Sequence, residues 1–178
     1  MYLTGGQFKG FKLLMPKGGV RPTLSVTRES VFSMLATHFE RVGGDFSGLS
    51  FLDCFSGSGI MALEAFSRGF EVNAIEKNRD IARTIKENFK KVCDKNLKEA
   101  PVIIADALNF KTDKRFDVVY VDPPWDKDYT EIMSVVTKLG RVIIFEHDKE
   151  LPKHNLKILK EKKYGRTRLT ILEAILLD

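Results

Sequence analysis

The segment Asp122-Pro123-Pro124-Trp125 puts a carboxylate, a rigid turn and a large aromatic ring in immediate succession. It follows Phe116-Asp117-Val118-Val119-Tyr120-Val121, a short, β-branched apolar run of the kind found in strands covered on both faces. Two prolines, neither of which can donate a ladder hydrogen bond, end such a strand abruptly. The arrangement suits a flat amine such as the exocyclic NH2 of a nucleobase. That nitrogen is a poor nucleophile, because its lone pair is delocalised into the ring. A carboxylate oxygen and the Asp122 or Pro123 carbonyl, aimed at its two N–H bonds, would turn the lone pair out of the ring plane. Trp125 can stack on the base and fix its angle. Catalysis of this kind works by positioning and electrostatics rather than by a strong base. Taken alone, the same residues also fit a tight Pro-Pro turn with a packed tryptophan.

Four more carboxylates, Asp53, Glu76, Asp106 and Glu146, stand in or next to the ends of four other strand-like runs. In doubly wound sheets ligands bind outside the carboxyl ends of the strands, where strand order reverses. The first of these runs leads into Asp53-Cys54-Phe55-Ser56-Gly57-Ser58-Gly59, a turn whose glycines let the backbone approach a ligand. Gly57, Gly59 and Ala62 also satisfy a loose dinucleotide-binding spacing, so spacing alone decides nothing. Asp53 discriminates, since it would repel a pyrophosphate and attract the ammonium of an amino-acid moiety. Glu76 is suited to accept from both hydroxyls of a ribose. Asp106 can receive the amino group of an adenine while the Ala107 N–H meets its ring. Amino acid, ribose and adenine in that order describe S-adenosylmethionine.

The elements that must hold these groups alternate. A first helix is expected from Ser25 or Thr27, either of which can cap it, with Glu29 in its first turn. Strands are expected at 49–55, 70–76, 101–105, 116–121 and 141–146, with helices at 60–68, 79–92 and 129–139 between them. The tail breaks the alternation, because 155–161 and 166–176 read as a closing antiparallel hairpin around Lys162-Lys163-Tyr164-Gly165. The predicted fold is α/β: a mostly parallel seven-stranded, Rossmann-like sheet closed by that hairpin.

The chain has 178 residues, enough for one domain with a core that needs neither disulfide nor metal. Cys54 and Cys93 have no ligand spacing and read as reduced thiols, which points to the cytoplasm, and the three histidines give no metal pattern. No apolar run reaches membrane-span length. Charge is unevenly placed. Residues 1–28 hold Lys9, Lys12, Lys17, Arg21 and Arg28 with no acidic residue, and the remainder has 24 basic and 24 acidic side chains. A basic arm at 1–24 on a neutral domain at 25–178 is the footprint of a phosphate-rich partner, or else a solvated tail. Its apolar residues, among them Tyr2, Phe8, Phe11 and Leu13, favour a small hairpin over a tail.

The glycine loop and Asp-Pro-Pro-Trp resemble those of S-adenosylmethionine-dependent amino-methyltransferases. More closely, the chain resembles the RsmD-type 16S ribosomal RNA (guanine-N2)-methyltransferases. The resemblance is carried by Gly6-Gln7-Phe8-Lys9-Gly10, by Arg21-Pro22-Thr23 with Thr27-Arg28-Glu29-Ser30-Val31-Phe32, and by 52–59 and 63–69. It implies a class I methyltransferase fold, with Asp53, Gly57 and Gly59 on the methionine part of the cofactor. Glu76 would then hold the ribose and Asp106 with Ala107 the adenine; Phe55, Lys77 and Asp122 complete the expected cofactor site. Asp122 and Pro123 would hold the guanine amine and Trp125 would face the base, where the family more often has Phe or Tyr. Lys9, Lys12, Arg21, Thr23 and Arg28 are the expected RNA contacts, with Lys160, Lys162, Lys163 and Arg166 of the hairpin as the alternative. The implied partner is 16S RNA in an assembling small subunit, met by a monomer without metal. Other readings are an adenine-N6 methyltransferase acting on DNA or RNA, a non-catalytic RNA-binding module, and a nicotinamide-dependent oxidoreductase.

Overall fold

Strand pairing follows from burial. The structure, a computed structural model, describes residues 1–17, 20, 23–93 and 99–174. Its seven strands are β1 (Ser50–Asp53), β2 (Glu71–Glu76), β3 (Val102–Ile104), β4 (Phe116–Val121), β5 (Gly140–His147), β6 (Lys157–Tyr164) and β7 (Thr167–Glu173). They form one sheet in the order β3-β2-β1-β4-β5-β7-β6. The first five run parallel, and β7 pairs antiparallel with both β5 and β6, as the hairpin reading expects. Strand order reverses between β1 and β4, so the ends of these two strands flank the crevice where such sheets bind ligands.

The sheet is apolar on both faces. Phe51, Ala74, Val118, Tyr120 and Ile144 pack against α1 (Ser25–Arg41), α2 (Ile60–Ser67) and α3 (Arg79–Val92). Their sequence neighbours Leu52, Ile75, Val119, Val121 and Phe145 pack against α4 (Tyr129–Leu139). This is the period-two alternation of a strand covered on both sides. α3 and α4 keep the bounds read from sequence because each has a local cap. Asn78 accepts from the N–H groups of Asp80 and Ile81, and Asp128 from that of Thr130.

Two local expectations fail. α1 has no side-chain cap, because the extended residue Leu24 precedes Ser25, and Glu29 lies beyond its first turn. Strand β6 runs on to Tyr164, and only Gly165 (φ +60) and Arg166 form the turn. A two-residue hairpin turn needs positive φ, which Gly165 supplies and the lysines before it do not.

The N-terminal segment does form a small hairpin, with Tyr2 bridged to Lys12. It is anchored to the body rather than free. Leu3 and Leu13 are buried in the main core. Ser67 binds the backbone at Gly5, Gln7 and Phe8, and the Asn88 amide exchanges two hydrogen bonds with Leu14.

Candidate active site at the carboxyl edge of the sheet

A cavity of about 930 Å³ opens at the carboxyl ends of the parallel strands. Its size suits a ligand of nucleoside dimensions or somewhat larger. Asp53, Glu76, Asp106, Asp122 and Glu146, the five strand-end carboxylates, all line it. Pro123 and Trp125 line it too, as do Phe55, Gly57, Lys77 and Ala107.

Asp53 is the most unusual of these groups. It is almost wholly buried; Oδ2 accepts from the Ala62 N–H at 3.2 Å, and Oδ1 has no hydrogen-bond partner among the described residues. Burial pushes its pKa from 3.8 up to about 7, against the Ala62 hydrogen bond and with the help of the Glu76 charge. A buried oxygen without a donor calls for one, and a cationic amine supplies it. Glu76 is held at the other side of the glycine turn, where Oε2 accepts from the Gly57 N–H at 2.9 Å and Oε1 from the Asn78 N–H at 2.8 Å. Each carboxylate oxygen keeps a second lone pair for a hydroxyl. Asp106 caps the short 3₁₀ turn Ala107–Asn109 through the Leu108 N–H.

Gly59 departs from expectation. It is buried and does not line the cavity. A Cβ there would sit 2.7 Å from Ile85 Cγ2, and its φ is +74. Its bareness lets the turn close onto α3, so it shapes the loop without touching the ligand space.

Asp122 and Pro123 lie immediately beyond β4, beside Asp53 at the end of β1. Pro123 is buried and Trp125 half-buried. Neighbouring β5 adds Glu146, whose Oε2 accepts a 2.7 Å hydrogen bond from the buried Tyr120 hydroxyl. The tip of the β6–β7 hairpin, from Tyr164 to Thr167, forms a further wall. Sequence reasoning names Arg166 here only as an alternative RNA contact and leaves Tyr164, Gly165 and Thr167 out of the site. β7 is antiparallel to β5, so the β6–β7 turn falls at the same edge as Asp122, and the hairpin pattern is the signal that could have indicated it.

The expected RNA contacts divide. Lys9 and Lys12 are exposed, and Thr23 lines the cavity. Arg21 lies outside the described residues. Arg28 is a correction: it is 4% exposed, donates through Nε to Glu64 Oε1 at 2.9 Å, and binds the carbonyls of Thr23 and Tyr2. Arg68 pairs with the other Glu64 oxygen. Three of its five N–H donors are taken inside the protein, and burial keeps the guanidinium away from a phosphate in solvent.

The model of the family described as "Conserved hypothetical protein 95" matches residues 1–173. The chain belongs to this family, that of the RsmD methyltransferases. It is 30% identical to "Putative rRNA methyltransferase YlbH" of Bacillus subtilis, over 96% of this chain and 97% of that protein. It is 33% identical to "Ribosomal RNA small subunit methyltransferase D" of Escherichia coli, over 72% of this chain and 62% of that one. Among solved structures it resembles "Putative methyltransferase yhhF" of Escherichia coli, with TM-score 0.79 and 27% identity over 98% and 97% of the two chains. The sheet is thus a Rossmann-like class I methyltransferase sheet, and the RsmD-family chain is an enzyme of the methyltransferase class.

Proposed function

We propose that this chain transfers a methyl group from S-adenosylmethionine to the exocyclic N2 amine of a guanine in 16S ribosomal RNA. The observation that carries the reading is the buried Asp53 oxygen, without a partner among the described residues, in a cavity that also holds Glu76, Asp122, Pro123 and Trp125. Asp53 would hold the amino group of the cofactor, Glu76 its ribose, and Asp106 with Ala107 its adenine. When bound, the cofactor supplies an electrophilic methyl group on a sulfonium. The chain's task is then to present the amine. The Asp122 carboxylate and the Asp122 or Pro123 carbonyl accept from its two N–H bonds, and Trp125 stacks on a base drawn out of its helix. The RNA assignment draws on the names of the two relatives, and guanine on the N-terminal segments that resemble the RsmD type.

The test is incubation with tritiated S-adenosylmethionine and separated ribosomal subunits, followed by nucleoside analysis. N2-methylguanosine in small-subunit RNA is the expected product; N6-methyladenosine, or label only in the large subunit, would overturn the assignment. Asp122→Ala is expected to keep affinity for S-adenosylhomocysteine and lose ~10²–10³ in turnover. Normal turnover in that variant would remove the positioning mechanism.

A further inference from the structure

We propose that Glu146 reads the identity of the target base by accepting the ring N1–H of guanine, while Asp122 and Pro123 hold the neighbouring amine. The inference rests on the guanine-N2 reading above and adds to it the group that tells guanine from adenine.

Strands β4 and β5 pair in parallel with Val121 opposite Phe145, so Asp122 and Glu146 are the next residues out on adjacent strands. Neighbouring strands lie roughly 4.8 Å apart, so Asp122, just past the end of β4, stands beside Glu146 of β5 at the sheet edge. Both carboxylates line the cavity that contains Trp125. The amine of guanine stands between two ring nitrogens, N1 with its proton and N3 without one, and in the proposed pose the amine is at Asp122 and N1 faces Glu146. In guanine N1 carries a proton; in adenine it is a bare acceptor. A carboxylate attracts the first and repels the second, which is how a flipped base is read along its Watson–Crick edge.

Glu146 is held firmly enough to discriminate. It is 8% exposed, and Tyr120, 1% exposed, donates to its Oε2 at 2.7 Å. Burial and the charges of Asp122 and Glu146 push the Tyr120 pKa well up, so the phenol stays a donor. A carboxylate offers about four lone-pair positions, so the Tyr120 bond is one of several that Glu146 can accept. Tyr120 acts here as a positioning residue.

A purely structural Glu146 would serve its partners within the protein, among them the Tyr120 hydroxyl, and Gln helps to separate the roles because its carbonyl can still accept that bond. The full-length enzyme is assayed on small ribosomal subunits with tritiated S-adenosylmethionine, and melting temperature and S-adenosylhomocysteine affinity are measured in parallel. Glu146→Gln is expected to lower kcat/KM for guanine roughly 10- to 100-fold, the loss of one charge-assisted hydrogen bond, with both controls unchanged. Turnover at the wild-type level in a folded Glu146→Gln enzyme overturns the inference. Tyr120→Phe, which keeps the ring and removes the hydroxyl bond to the carboxylate, is expected to lose several-fold in kcat/KM with cofactor affinity intact. That variant decides the matter should Glu146→Gln not fold, and wild-type kcat/KM in it counts against the positioning. A wild-type enzyme that forms no N2-methylguanosine removes the underlying reading and this one with it; wild-type guanine transfer with an indifferent Glu146 removes this one alone.

Discussion

Charge is buried in two places in this molecule, and the two are built on opposite terms. Around Glu64, which is fully buried, both carboxylate oxygens are engaged: Oε1 takes Arg28 and the N–H and hydroxyl of Thr4, and Oε2 takes Arg68. At Asp53, also buried, one oxygen has a single backbone donor and the other has none among the described residues. The first group joins α1, α2 and the N-terminal hairpin. The second carries a desolvation cost that its own neighbours leave uncompensated and that a proton or a cationic ligand would offset. Buried charge that is fully paired serves the fold, and buried charge that is not paired marks where something binds.

The largest expected effect breaks the first region. Glu64→Ala strands two guanidinium groups in the interior and should cost about 3–5 kcal/mol of stability, measurable by urea denaturation. Arg28→Ala should show a loss of similar kind, without a selective change in the salt dependence of RNA binding. A stable Arg28→Ala protein with weakened, salt-insensitive RNA binding would return Arg28 to the RNA surface.

The second region is probed by pH. Asp53 has a folded pKa of about 7 against 3.8 ordinarily, so between these values the unfolded chain gives up its proton first. Stability of the ligand-free protein should therefore fall as pH rises from about 4 to about 7, and level off above. Affinity for S-adenosylhomocysteine should move the other way, because its ammonium needs the ionised carboxylate. At pH 6 about a tenth of the protein carries that form, so binding should be roughly tenfold weaker than at pH 8. Asp53→Asn should remove both slopes. Calorimetry finding a flat affinity profile in the wild type would mean that Asp53 does not meet the amine.

The contrast also explains what is legible in the sequence. Strand β4 and helices α3 and α4 have the read bounds because their boundary signals are local: two prolines that stop the strand, and Asn78 and Asp128 that start the helices. All five strand-end carboxylates lie in one cavity because a parallel sheet brings like ends together. Arg28 misleads in sequence because its partner Glu64 is 36 residues away and the Tyr2 carbonyl 26. No short-range pattern distinguishes a buried arginine from one reaching for a phosphate. Gly59 fits a ligand-binding motif in sequence, yet what its hydrogen faces is Ile85 on another helix. Tertiary partners decide both positions.

The smallest expected effect concerns the exposed charges that remain. Lys9 and Lys12 sit on the N-terminal hairpin, whose Leu3 and Leu13 are core residues and whose Thr4 binds Glu64. Truncating residues 1–20 would therefore unsettle the fold and confound any binding measurement. Point substitution avoids this, since neither lysine side chain is buried. Removing a lysine that pairs with a phosphate should lower the magnitude of the salt-dependence slope of RNA binding by roughly 0.7–0.9. The double variant Lys9→Ala, Lys12→Ala should show that change for each lysine while its cofactor affinity stays at the wild-type value. Arg166 provides the comparison, being an exposed cation that lines the cavity on the opposite element, the β6–β7 turn. If Arg166→Ala lowers the slope and the lysine pair does not, the RNA track enters over the closing hairpin and the basic N-terminus is bystander charge. If both lower it, the two hairpins form the walls between which the base is delivered to Trp125.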